Sequence, residues 1–178
     1  NHTTIREFVT VNRGTTDKWE TRVGNHTLLM AYTHIGHDCI IGNHCIIANS
    51  AGISGHVIID DYATIEGQVG IGQFVHIGAY AFIAGGSGVR QNVPPFIKAA
   101  RHPLAFIGVN SIGMKRRGVS EDDVKRIEAI YKKLYVHNST IGKGVADIKS
   151  TIEDSDVKKT ILDFISNSPK GVIKGTIN

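Results

Sequence analysis

The segment THIGHDCIIGNHC, residues 33–45, places His34, His37, His44, Asp38, Cys39 and Cys45 within thirteen positions. These residue types can bind a metal, move protons, or attack as thiolates. A neutral imidazole accepts a proton near pH 7, and an adjacent carboxylate can fix which ring nitrogen carries the hydrogen. Zinc would need three or four His, Cys or carboxylate ligands converging at about 2.0–2.3 Å. The spacings of His34, His37, His44, His56 and His76 suggest no such set, so no metal site is expected. The two cysteines suit a reducing compartment, and so a cytoplasmic protein, and read as buried, inert thiols rather than a bridge.

What positions these residues is a repeat. Val23, Leu29, Ile35, Ile41, Ile47, Ile53, Ile59, Ile65, Ile71, Ile77, Ile83 and Val89 follow one another every six residues, and Ile5 and Val11 carry the same phase. Four positions after most of them stands a small or β-branched residue, followed by Gly, Asn, Asp or Ser. A period of six fits neither an amphipathic helix nor a long alternating strand. It fits a two-residue strand and a tight corner, repeated, with Gly and Asn supplying the positive φ of the corners. Three hexads close one triangular coil of 18 residues, and stacked coils pair at about 4.8 Å. The chain is therefore read as mainly β, a parallel β-helix of hexapeptide repeats.

The remainder divides into a loop, a break and helices. NRGTTDKWETR (12–22) interrupts the repeat and reads as a loop thrown out from one corner, where function often resides. Pro94 and Pro95 end the ladder, which they cannot serve. Ser120 and Asp123 form a capping box ahead of a helix near 121–136, with weaker helices near 145–153 and 155–166. This gives a β-helix over 1–95 and a connector with an α-helical C-terminal unit over 96–178. The chain opens at Asn1, without methionine and inside the pattern, as a fragment lacking N-terminal coils would. Its 178 residues carry a net charge of +4, which suits a phosphate-bearing ligand or an acidic partner without requiring nucleic acid. No apolar run is long enough for a membrane span.

The 18-residue lattice states which residues are neighbours. His37, Gly55, Gln73 and Gln91 share one corner, with Asp38, His56, Phe74 and Asn92 beside them. His26, His44, Tyr62 and Tyr80 form another column. His26, His44 and His76 read as solvated side chains. His37 differs, because the lattice sets an imidazole, its neighbouring carboxylate and a glycine N–H together. A base and an oxyanion donor a few ångströms apart are what acyl transfer to an alcohol requires.

The blocks VTVNRGT, LLMAYTHIGHDCIIGNHCIIANSAGISGHV, GGSGVRQNVPPF and GVNSIGMKRRGVS appear in this order. In them the chain resembles the UDP-N-acetylglucosamine acyltransferase family of lipid A biosynthesis. The resemblance implies a left-handed β-helix and a homotrimer with active sites between prisms. It implies transfer of a 3-hydroxyacyl chain from acyl carrier protein to the 3-hydroxyl of UDP-N-acetylglucosamine. His37 matches the general base, Asp38 the carboxylate that orients it and Gly55 the oxyanion donor. His34, His56 and Gln73 match substrate contacts, and Gly85 the position that gauges acyl length. Asn110, Arg116 and Arg117 match the nucleotide-binding positions, and guanidinium groups suit a diphosphate. No cofactor is implied, since phosphopantetheine arrives on the carrier. Gly72, Ile112 and the register of His102 depart from the family pattern on the sugar-nucleotide side, which leaves an amino variant of the acceptor open. A related N-acyltransferase, a coenzyme A acetyltransferase and a non-catalytic β-helical scaffold are the alternatives.

Overall fold

The computed structural model describes residues 1–175. From Thr4 to Val89 every strand is two residues long and ends on an aliphatic of the six-residue series. Strands one coil apart pair in parallel and build three sheets, the sides of a triangular prism. Face A contains Leu28–Leu29, Ile46–Ile47, Thr64–Ile65 and Phe82–Ile83. Face B contains His34–Ile35, Gly52–Ile53, Gly70–Ile71 and Gly88–Val89. Face C contains Ile40–Ile41, Ile58–Ile59 and His76–Ile77. Ile35 pairs with Ile53, Ile41 with Ile59 and Ile47 with Ile65, so the expected lattice holds in register. The inward aliphatics from Leu29 to Val89 form one buried column, joined by Cys39, Cys45, Ala51, Val57 and Ala63 in the small slots. In the first coil Ile5 and Val11 have the same phase but stand exposed at the end of the stack.

The glycines act differently from the sequence expectation. The left-handed φ recurs every six residues at His26, Tyr32, Asp38, His44, Ser50, His56, Tyr62, Gln68, Phe74 and Tyr80, none of them glycine, before Gly86 takes the next place. Several corner glycines instead stand where the next coil leaves no room for a side chain. A Cβ on Gly36 would lie 2.7 Å from the Gly55 nitrogen, and one on Gly42 2.7 Å from the Asp61 nitrogen. The constraint is close approach of stacked backbones rather than torsional freedom.

Pro94 and Pro95 interrupt the ladder but do not end it. Val93 still bridges to Ile77, and face A resumes with Ile97–Ala100 pairing to Phe82–Ile83. Antiparallel Ala105–Val109 and parallel Lys174–Gly175 extend it further. Four helices follow: α1 (Ser111–Arg116), α2 (Glu121–Lys132), α3 (Ile141–Thr151) and α4 (Asp156–Ser166). Ser120 caps α2 by accepting from the Asp123 N–H, as its capping box implies. A π-helical turn, Lys133–His137, extends α2 to the expected end. The fully buried Tyr131 of α2 donates its hydroxyl to the Pro95 carbonyl at 2.6 Å, tying the helical unit to the coil break.

Helix α3 begins earlier than its two glycines suggested, because Thr140 caps it and Gly144 lets it pack against Leu134. A Cβ on Gly144 would stand 2.9 Å from the Leu134 Cα, whereas one on Gly142 would meet nothing. Gly144→Ala is therefore expected to destabilise the fold by about 1–3 kcal/mol through overpacking. Gly142→Ala, two residues earlier, is expected to stabilise it by up to about 1 kcal/mol through helix propensity. Urea denaturation of the two variants checks the opposite signs.

Candidate active site

The corner between faces B and C brings together an imidazole, a carboxylate and a bare backbone amide. Gly36 and His37 turn the chain out of the strand His34–Ile35, and Asp38 adopts φ +59° before Ile40–Ile41 resumes on face C. His37 Nδ1 stands 2.8 Å from Asp38 Oδ2. The carboxylate can only accept, so Nδ1 carries the hydrogen and the neutral ring presents Nε2 as its proton acceptor. That edge of the ring faces Gly55: a Cβ on Gly55 would lie 2.6 Å from both Nε2 and Cε1. Only glycine fits beside His37 in this position.

The Gly55 amide is available. At the equivalent hexad position of other corners the N–H groups of Asn25 and Asn43 donate to the side chains of Asn43 and Asp61 one coil on. Among the described residues the Gly55 N–H has no such partner. The His37 ring is about one-third exposed, so a substrate can reach it.

Asp38 is completely buried. Its Oδ1 accepts from the Thr15 N–H at 2.9 Å and the Lys18 N–H at 3.3 Å, and its Oδ2 accepts from the Thr15 hydroxyl at 2.7 Å. Its own N–H donates to Thr21 Oγ1 at 2.9 Å. Burial pushes the carboxyl pKa up, but the hydrogen bonds from Thr15, His37 and Lys18 outweigh it and hold the group at about 2. Asp38 is thus a fixed anion at neutral pH. All of its partners except His37 lie in the loop between Thr10–Val11 and Arg22–Val23.

His56, one coil on from Asp38, stacks on Phe74 at 4.6 Å and meets His37 edge to face at 5.0 Å. Its Nδ1 is 3.4 Å from Asp17 Oδ2. Gln73 is exposed on the same corner, and His34 lies exposed on face B with Nδ1 2.7 Å from Thr10 Oγ1. His37, Asp38 and His56 offer donor atoms within 4.8 Å of one another, which a metal could use. Asp38 Oδ2, however, already accepts two hydrogen bonds, from Thr15 and His37. A metal bound through that oxygen would compete with these bonds.

Four other candidates lie elsewhere. Gly85 sits on the corner between faces A and B, where its N–H donates to Glu66 at 2.9 Å. Asn110, Arg116 and Arg117 line a groove of about 610 Å³ with Ile46, Thr64, Phe82 and Lys98 of face A. Asn110 there caps α1 and donates to the Tyr80 carbonyl, while the Arg117 guanidinium lies 5.6 Å from the centre of the Tyr62 ring. His76 is one-third exposed but not free in water: it pairs with Asp60 at 2.9 Å and packs on Phe164 of α4. His26 and His44 belong to a ladder of stacked rings continued by Tyr62 and Tyr80. The loop residues Thr15, Asp17, Lys18 and Thr21 carried no individual signal in the sequence beyond their place in a functional loop.

The chain is a parallel hexapeptide coil with an imidazole held by a carboxylate on one corner, and residues 20–55 match the bacterial transferase hexapeptide family. Residues 92–173 match the second domain of UDP-N-acetylglucosamine O-acyltransferase. An acyl-[acyl-carrier-protein]--UDP-N-acetylglucosamine O-acyltransferase of Sulfurihydrogenibium is 52% identical over 97% of this chain and 64% of its own length. Its Pseudomonas syringae counterpart is 39% identical over 97% of this chain and 67% of its own. The crystal structure of a UDP-N-acetylglucosamine acyltransferase from Bacteroides fragilis superimposes with a TM-score of 0.93 at 40% identity, covering 97% of this chain and 68% of that one. The chain belongs to the UDP-N-acetylglucosamine O-acyltransferase family, and its coil is the family's left-handed β-helix. It spans 64% of the Sulfurihydrogenibium relative.

The low pKa of Asp38 has a signed consequence. A carboxyl held at about 2 when folded, against an ordinary value of 3.8, binds its proton more readily in the unfolded chain. Its contribution to stability is therefore present above about pH 4 and is lost as pH falls through about 2. Asp38→Asn is expected to be less stable than the parent at pH 7, with the difference closing toward pH 2. Urea melts of both proteins across that range measure it.

Proposed function

We propose that this chain transfers a 3-hydroxyacyl group from acyl carrier protein to the 3-hydroxyl of UDP-N-acetylglucosamine, the first step of lipid A biosynthesis. The observation that carries this reading is the contact of His37 Nε2 with the bare edge of Gly55 while Nδ1 is bonded to Asp38. In the proposed reaction Nε2 takes the proton of the sugar hydroxyl as its oxygen bonds to the thioester carbonyl carbon. Charge developing on the carbonyl oxygen is met by the Gly55 N–H. The intermediate collapses, the carbon–sulfur bond breaks, and the departing thiolate recovers the proton from His37. Asp38 stays ionised throughout and stabilises the imidazolium. The thioester is already activated, so the reaction needs no cofactor beyond the carrier's phosphopantetheine.

The face A groove suits the nucleotide. Arg116 and Arg117 can pair with a diphosphate, Lys98 adds charge, and Phe82 and Ile46 give an apolar wall. Face A is the side of the prism opposite the corner that carries His37, so one chain cannot present both to one substrate. A homotrimer, in which the groove of one copy faces the His37 corner of the next, supplies a complete site between prisms. Acyl carrier protein would meet a chain of net charge +4, which favours capture of an acidic partner. No helix among the described residues is long and apolar enough to cross a membrane.

Purified protein incubated with acyl carrier protein thioesters of graded length and UDP-N-acetylglucosamine, or its 3-amino variant, tests the reading. His37→Ala is expected to keep its fold and lose roughly 10²–10⁴-fold in turnover. Arg116→Ala and Arg117→Ala are expected to act mainly through KM for the nucleotide sugar. Product formation undiminished in His37→Ala, or none with any chain length and either acceptor, would overturn the assignment.

A further inference from the structure

The loop between Val11 and Arg22 is not needed to close the coil. Adjacent strands elsewhere in the prism are joined by corners of four residues, whereas this corner spans 12–21. It lengthens the first coil, so that Thr10 and His34 are 24 positions apart rather than 18. What it does is wrap the Asp38 carboxylate. Thr15 alone reaches both oxygens, its N–H to Oδ1 and its hydroxyl to Oδ2. The turn that holds Thr15 is closed on itself, since the Trp19 N–H donates to the Thr15 carbonyl at 2.8 Å and the Asp17 N–H approaches its hydroxyl at 3.3 Å.

We propose that Thr15 is a positioning residue for the acid–base pair, acting through Asp38 rather than on substrate. Two bonds from one residue, one to each oxygen, stop rotation of the carboxylate about its own axis. Oδ2 is thereby aimed at His37 Nδ1, and the ring hydrogen stays on that nitrogen. Without the hydroxyl, Oδ1 keeps its two amide donors, but the one hydrogen bond left on Oδ2 is that from His37, with His56 Nε2 no nearer than 3.8 Å. The carboxylate can then swing and the hydrogen can spend time on Nε2. A ring protonated there is unable to accept the substrate proton, while the surfaces that bind substrate are unchanged. The expected signature is a loss confined to kcat.

This inference rests on the acyl-transfer reading, and the comparison of Thr15→Val with Thr15→Ser tests it. Valine keeps the shape of threonine and removes the hydroxyl; serine keeps the hydroxyl. Thr15→Val is expected to lower kcat about 10–100-fold, the value of a hydrogen bond to a charged group. KM for both substrates should stay within about twofold, and Thr15→Ser should restore most of the rate. Proton NMR gives a second readout that needs no turnover. The deshielded His37 Nδ1–H resonance should be present in the parent and Thr15→Ser and broadened by exchange in Thr15→Val. If Thr15→Val does not fold, Thr15→Ala carries the same comparison. Parent-like kcat and resonance in Thr15→Val overturn the proposal, as does a serine variant no better than valine, or a loss expressed in KM. If the parent and His37→Ala are equally inert, the acyl-transfer reading fails, and the resonance alone then decides whether Thr15 positions the ring.

Discussion

The structure depends on how little space separates one coil from the next. Parallel backbones at ladder spacing put each residue directly over its counterpart one coil away, and some corners leave no gap to absorb a side chain. Gly36, Gly42 and Gly78 each stand where an added Cβ would fall within 3 Å of the neighbouring backbone. The same closeness makes the site. At Gly55 the space a Cβ would fill is taken by the edge of the His37 ring. The proposed chemistry uses a spacing that the fold already imposes, with the Gly55 N–H as the donor beside the ring.

Holding a charge inside such a stack is expensive, and the protein meets the cost with hydrogen bonds. A buried carboxylate without partners would take up a proton instead of ionising. Asp38 has bonds on both oxygens, and its own N–H is satisfied by Thr21. The left-handed backbone at Asp38 is unremarkable in this fold, since the same φ recurs at every sixth residue through Tyr80. What distinguishes this corner is therefore not strain but the loop laid over it. His56 adds a second imidazole held flat against Phe74 and perpendicular to the His37 ring.

The sequence made much of this readable, for reasons that particular residues show. The unbroken six-residue series from Val23 to Val89 fixes both the inward face and the coil length, so His37 and Gly55 follow as neighbours by arithmetic alone. Between Val11 and Val23 the period is nominally kept, but position 17 holds Asp rather than an aliphatic, which marks the loop. Inside the loop the lattice no longer says who touches whom, and Thr15 meets Asp38 across 23 positions by loop folding that no period encodes. Glycine was misread because composition does not tell torsional need from close packing. Gly144 misled in the same way, since its partner Leu134 belongs to a tertiary contact. The pairing of His76 with Asp60 escaped because helix α4, which covers it with Phe164, docks from far along the chain.

A triangular cross-section also determines how a site of this kind must be shared. The proton-accepting ring lies on an edge, and an edge offers a ligand only one wall. The basic groove lies on the face opposite that edge, separated from it by the packed interior of the prism. A nucleotide sugar gripped in the groove of one chain cannot pass its hydroxyl through that core to the ring of the same chain. In the proposed reaction the two halves can meet only across a boundary between copies, where an edge of one prism closes against a face of another. Under the proposed reaction the division of labour follows from shape: each copy would contribute a base to one site and cationic groups to a different one, which would make activity a property of the assembly.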